Sequence, residues 1–145
     1  MRVLVQKVLQ AEVETEGRIV GKIGKGYLLF IGVQKDDTNA QAEYLAHKVS
    51  TLRIFEDENG KMNLALKDVD GEILAVSQFT LAGDTSRGNR PGFETAARPQ
   101  EAKPIYEYFV EQLKICGHHV ETGIFQADMK VTLTNDGPTT FILEK

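Results

Sequence analysis

Tyr27-Leu28-Leu29-Phe30-Ile31-Gly32-Val33 is an unbroken apolar run bounded on its N-terminal side by Gly24-Lys25-Gly26. It is too short for an ordinary helix, and its β-forming residues and flanking glycines predict a buried strand. The chain before it alternates: Val3, Val5 and Val8 lead through Ala11, Val13 and Thr15 to a turn at Glu16-Gly17-Arg18. A second strand follows at Ile19–Ile23. After the run the period changes. Thr38 with Gln41 matches a capping box, and Asp37 offers a second capping side chain. Ala42, Leu45, Ala46, Val49 and Leu52 then recur at helical spacing and predict a helix with one buried face. A second helix opens at Pro99-Gln100-Glu101. Ile105, Tyr106, Phe109, Val110 and Leu113 mark its apolar face, and Gly117 stops it. Further strands are read at Glu72–Phe79, Val120–Gly123, Met129–Thr134 and Thr140–Leu143. The fold class expected is mixed α and β, with largely antiparallel sheets covered by two amphipathic helices in a single domain, 1–145.

The chain has 145 residues with a net charge of −4, 41% hydrophobic and 26% charged residues, the balance of a globular protein. No apolar run has the length of a membrane span, and the N-terminus does not read as a signal peptide. The lone Cys116 cannot form an internal disulfide. These features lead to the expectation of a cytoplasmic protein with no membrane partner. The negative charge argues against nucleic-acid binding through bulk positive charge. Locally, Arg87, Arg90 and Arg98 lie in one aperiodic stretch with a single acid, Glu94, between Thr85 and Arg98. That stretch reads either as a solvated loop or as a patch for a few phosphate contacts.

Standard catalytic equipment is missing from the sequence. There is no Walker phosphate loop and no Cys-x-x-Cys, and His118-His119 is an adjacent pair rather than a spaced ligand set. No metal ligands are therefore assigned. Two polar segments stand out instead. Ser77-Gln78-Phe79-Thr80-Leu81 follows the apolar run Ile73–Val76, so a hydroxyl, an amide and backbone N–H groups emerge at a strand end. They can stabilise an oxyanion, or simply satisfy the strand end. Asn135-Asp136-Gly137-Pro138-Thr139-Thr140 places a Gly-Pro pair between strand-like segments. The pair is a β-turn, or a rigid element that presents backbone atoms to a ligand. Proline is the residue before which a cis peptide is least costly.

Together these two segments resemble the D-aminoacyl-tRNA deacylase family. The likeness extends through the Met1-Arg2-Val3 opening, Gly24–Val33, Leu52–Leu64 with Lys61-Met62-Asn63-Leu64, and Phe125–Met129. The resemblance implies a homodimeric cytoplasmic enzyme that hydrolyses the ester of a D-amino acid, or of glycine, on the 3′ end of tRNA. It assigns the catalytic wall to Ser77, Gln78, Phe79 and Thr80, with Gln78 and the Phe79 N–H stabilising the oxyanion and Thr80 shaping the site. It places Gly137 and Pro138, joined by a cis peptide, in the partner subunit's site as a screen against L side chains. Phe125, Ala127 and Met129 correspond to the segment that receives the terminal adenosine. No metal or organic cofactor is implied. The chain departs from the family's commonest pattern at Thr139 and at Gln126, the latter standing where glycine is common. Two rivals stay open: a non-catalytic nucleic-acid-binding dimer, and a small-substrate esterase with Thr80 as nucleophile.

Overall fold

The sheet is organised around β1 (Arg2–Thr15), as seen in a computed structural model that describes all of residues 1–145. A two-residue turn, with positive φ at both Glu16 and Gly17, folds β2 (Arg18–Ile23) back along the second half of β1. β3 (Gly26–Gly32) then pairs antiparallel with the first half, from Arg2↔Gly32 to Val8↔Gly26. The apolar run in β3 lacks alternation because both of its faces are buried. Tyr27, Leu29 and Ile31 enter a core shared with the helices. Leu28 enters a second, smaller core with Val8, Val13, Ile23, Leu74 and Val76.

α1 (Asn39–Thr51) starts at the predicted capping box: Thr38 Oγ1 accepts from Ala40 N–H at 3.2 Å, and Gln41 Oε1 accepts from Thr38 N–H at 2.9 Å. Asp37 does not cap. It accepts from the Met1 ammonium at 2.8 Å and from the Gln34 N–H at 2.6 Å. A small antiparallel pair follows, β4 (Arg53–Glu56) with β5 (Met62–Ala65), and then a 3-10 turn over Leu66–Val69. β6 (Glu72–Ser77) returns to the sheet parallel to β3, in the register Tyr27↔Ile73 to Ile31↔Ser77.

After a 3-10 turn at Phe79–Ala82 and a long loop, α2 (Pro99–Ile115) packs on α1 and buries Ala102, Tyr106, Phe109, Val110 and Leu113. β7 (Val120–Thr122) pairs parallel with β6. The pairs β3–β6 and β6–β7 thus qualify the largely antiparallel expectation. Each is joined by a crossover containing a helix, which returns the chain to the same end of the sheet. β8 (Lys130–Glu144) runs antiparallel along nearly all of β1. Neither helix is long and apolar enough to cross a membrane.

Candidate active site

Where β6 ends, the Gln78 N–H donates to the Ile31 carbonyl at 2.7 Å, carrying the parallel pairing one residue further. The chain then winds into the 3-10 turn at Phe79–Ala82, whose leading N–H groups have no partner inside the turn. A cleft of about 610 Å³ opens beside this strand end. Ser77, Gln78 and Phe79 line it on one segment, and Phe125, Ala127 and Met129 line it on another. Six of the residues singled out in the sequence, drawn from positions about fifty apart, thus meet in one cavity.

Thr80 does not line the cleft. Its Oγ1 instead accepts from the Gln78 side-chain amide at 2.5 Å, which ties the amide to the turn. Beneath the Phe125 wall, the Tyr106 hydroxyl donates to the Ala75 carbonyl at 2.9 Å, and the two rings lie 5.9 Å apart. Burial pushes the Tyr106 phenol well above its ordinary pKa, so it acts as a neutral donor.

Phe93, Ala96, Ala97, Arg98 and Pro99 complete the lining, and of these only Arg98 was singled out in the sequence, as a candidate phosphate contact. The loop that carries them is tied down by Lys35 N–H to the Thr95 carbonyl at 2.9 Å, by Ala97 N–H to the Val33 carbonyl at 3.1 Å, and by the Thr95 hydroxyl to the Ala82 carbonyl. Phe93 tilts against Phe79 with ring centroids 5.1 Å apart. The signal available in the sequence was the length and aperiodicity of the Ala82–Arg98 stretch, which marks a functional loop without saying what it faces.

The ionisable side chains of the lining are Arg98 and Asp128; no histidine or cysteine lies there. His47 is exposed on α1. His118 is buried past the end of α2, its pKa pulled down by desolvation and then by Lys67. His119 pairs with Glu121 at 3.1 Å. The hydroxyls of Ser77 and Thr80 therefore have no imidazole positioned to take a proton.

The second segment has the cis peptide expected of it, but in a strand context that the sequence did not indicate. Gly137-Pro138 is not a turn between two strands; it lies inside the single strand β8. The β1–β8 register runs from Val8↔Asn135 to Gln6↔Thr140, so Asp136 to Thr139 bulge out opposite Lys7 alone. The buried Lys7 ammonium lies 3.3 Å from Asp136 Oδ2, and the Gln6 amide donates to Asn135 Oδ1 at 3.4 Å. The Gly137–Pro138 peptide is cis. Both residues are exposed, and neither lines the cleft of its own chain.

The pattern of the family described as D-Tyr-tRNA(Tyr) deacylase matches residues 4–144. The chain belongs to the D-Tyr-tRNA(Tyr) deacylase family. It is 57% identical over 144 residues to the D-aminoacyl-tRNA deacylase of Geotalea uraniireducens, covering 99% of this chain and 93% of that one. It is 56% identical over 145 residues to the D-aminoacyl-tRNA deacylase of Limosilactobacillus reuteri, with both chains fully covered. These relatives are, by name, hydrolases of an ester bond, and the family is one of enzymes. Among solved structures, the c-Myc DNA unwinding element binding protein superposes with a TM-score of 0.94 at 38% identity, covering 100% of this chain and 99% of that one. A probable eukaryotic D-amino acid tRNA deacylase shares the fold, with a TM-score of 0.79 at 18% identity over 98% of this chain and 97% of that one.

At one edge of the cleft lies a residue with unusual backbone, Gln126. Gln126 adopts φ 64°, in the left-handed region where a side chain is disfavoured and glycine is at ease. It sits in a tight turn closed by Ala127 N–H to the Ile124 carbonyl at 3.2 Å.

Proposed function

We propose that this chain hydrolyses the ester between a D-amino acid and the 3′-terminal ribose of tRNA, releasing the free D-amino acid and tRNA. The observation that carries the reading is the chemistry of the cleft. Amide, hydroxyl and backbone donors at Ser77, Gln78 and Phe79 share one cleft with the apolar Phe125, Ala127 and Met129, and no histidine or thiol lines it. Such a site suits positioning and oxyanion stabilisation rather than a protein nucleophile. In the reaction proposed, water attacks the ester carbonyl while Gln78 and the Phe79 N–H hold the developing oxyanion. The bond to the ribose 3′ oxygen breaks, and the neighbouring 2′-hydroxyl relays the proton to that oxygen. Phe125, Ala127 and Met129 seat the terminal adenosine, an apolar slot for a base.

Chirality is read by Gly137 and Pro138 acting in a homodimer. They are exposed on a bulge anchored through Asp136 by the buried Lys7, and they stand outside their own chain's cleft. A rigid backbone element with that placement suits use in a partner's cleft. There its main-chain atoms exclude an L side chain by clash and leave D side chains unread. Glycine, with no side chain to exclude, enters as well. The enzyme works in the cytoplasm, and no cofactor is part of the reading.

The test is hydrolysis of matched D-tyrosyl-tRNA and L-tyrosyl-tRNA by the purified protein. Loss of the D ester with the L ester spared is expected. Equal cleavage removes the role given to Gly137 and Pro138. A substrate ending in 2′-deoxyadenosine should be cleaved far more slowly, and equal rates would exclude the 2′-hydroxyl relay. The relative named for binding a DNA element favours one second reading, a nucleic-acid-binding module. Tight binding of tRNA without cleavage of either ester would establish it.

A further inference from the structure

Beside the cleft, the loop between Asp84 and Gly92 closes on itself through a reciprocal pair of backbone hydrogen bonds of 2.8 and 2.9 Å. The Asp84 carboxylate is engaged inside this closure: its Oδ1 accepts from the Ser86 N–H at 2.9 Å, which holds its pKa below the ordinary carboxylate value. Arg87 and Arg90 stand on the closed tip, exposed. Neither they nor Arg98 takes part in any ion pair, although the chain as a whole carries a net charge of −4.

Just past the closure, Phe93 is 41% exposed and leans on Phe79, itself 56% exposed. Two large rings left in water at the mouth of a cleft, next to unpaired guanidinium groups, have the chemistry of a single-stranded nucleic-acid site. Cations follow the phosphates, and an aromatic face stacks a base. Arg98, the N-cap of α2, adds a third guanidinium group in the lining of the cleft itself.

We infer that the arm from Asp84 to Arg98 holds the single-stranded 3′ end of the RNA. Arg87 and Arg90 contact phosphates of the nucleotides that precede the esterified one, and Phe93 stacks under a base. This deepens the proposed function and rests on it. The closed tip keeps the two arginines together at the end of a short, tied loop. The ties at Thr95 and Ala97 fix the base of the arm to the cleft wall, so a strand held on the arm is aimed at Ser77–Phe79.

The experiment compares kcat/KM for D-tyrosyl-tRNA with that for D-tyrosyl-adenosine, which has no preceding nucleotides, in the wild type and in the double variant Arg87→Gln/Arg90→Gln. Salt is varied over roughly 50–200 mM. The ratio of the two constants is expected to fall about ten- to a hundredfold in the variant, as charge-assisted contacts are lost. The slope of log kcat/KM for the tRNA against log salt should become shallower by about 1.4, the value for two single-strand phosphate contacts. Arg87→Lys/Arg90→Lys should restore the slope, because lysine still neutralises phosphate as a point charge. Phe93→Ala should lower the ratio about tenfold without changing the slope.

An unchanged ratio and slope in the double variant overturns the inference. So does an equal loss on both substrates with the slope kept, which makes the arm a mere support for the cleft. If the wild type cleaves neither D ester, the proposed activity fails. The arm is then decided by binding of a fluorescent minihelix ending in CCA over the same salt series, where the loss of slope in the double variant supports it and an unchanged slope overturns it.

Discussion

Gly123→Ala isolates the Met129 wall of the cleft. A methyl group on Gly123 would sit 2.5 Å from Met129 Sδ, 3.8 Å from its Cε and 3.7 Å from Val13 Cγ2. To reach ordinary contact at 3.4 Å, the sulfur must withdraw by about 0.9 Å. Val13 is fully buried and cannot yield, so the open direction is the cleft that Met129 lines. Overpacking a rigid core costs about 1–3 kcal/mol, but an unbranched thioether adapts at the low end of that range. Gly123 lies outside the left-handed region, so alanine also stabilises by about 0.4–1 kcal/mol through the unfolded chain. The net loss is then about 1 kcal/mol or less, a shift of roughly 3 °C in Tm for a chain of this size. A displacement near 1 Å in a positioning wall is worth up to about a hundredfold in rate. Thermal melting with D-tyrosyl-tRNA kinetics should therefore show nearly native stability and kcat/KM reduced ten- to a hundredfold. Gly26→Ala is the contrasting case. Its methyl meets the Glu72 main chain, with the carbonyl carbon and nitrogen both at 2.7 Å, and backbone in the β3–β6 pairing cannot move aside. That variant should lose at least about 3 kcal/mol. Unimpaired kinetics in Gly123→Ala, or a collapse in its stability like that expected for Gly26→Ala, would refute the reasoning.

Gln126→Gly relieves a left-handed residue and should raise stability by up to about 1 kcal/mol in denaturant melts; a loss would show that the Gln126 side chain itself stabilises the turn. Thr80→Ala removes the acceptor of the exposed Gln78 amide, which water can replace, so kcat/KM should fall less than about tenfold; near-total loss would instead establish Thr80 as a nucleophile. The His118 pKa is depressed from 6.5 in the folded chain by burial and by Lys67, so the unfolded chain binds the extra proton first as pH falls. Stability from this group is complete above the ordinary value and is lost as pH falls from there to the depressed pKa. His118→Gln should flatten Tm against pH across that window, and an undiminished slope would place the pH dependence elsewhere.

Short-range features were legible because they depend on neighbours in the chain. The capping box at Thr38 and Gln41, the helical faces of α1 and α2, the turn at Glu16-Gly17 and the stop at Gly117 all arise from bonds within a few residues. The strand at Tyr27–Gly32 was legible because burial on both faces leaves a run with no polar interruption. The polar strand end at Ser77–Phe79 was legible for the opposite reason, since hydroxyl and amide groups break out of an apolar segment. By contrast, Asp37 looked like a cap and instead accepts from the Met1 ammonium, a partner 36 residues away that only the folded chain brings to it.

The sequence by itself determined the mixed α and β class, the positions of both helices and the two polar segments whose combination marks the family. Only the tertiary structure decided how they meet. It set β6 and β7 parallel, made β8 one strand with a four-residue bulge opposite Lys7, and brought Phe93–Pro99 to the lining of the cleft. It also placed Gly137 and Pro138 outside the cleft of their own chain. Local propensity governs dihedral angles and periodicity. The direction in which a crossover returns, and which distant strand closes a register, are settled by packing among residues that the chain brings together only when the core is buried.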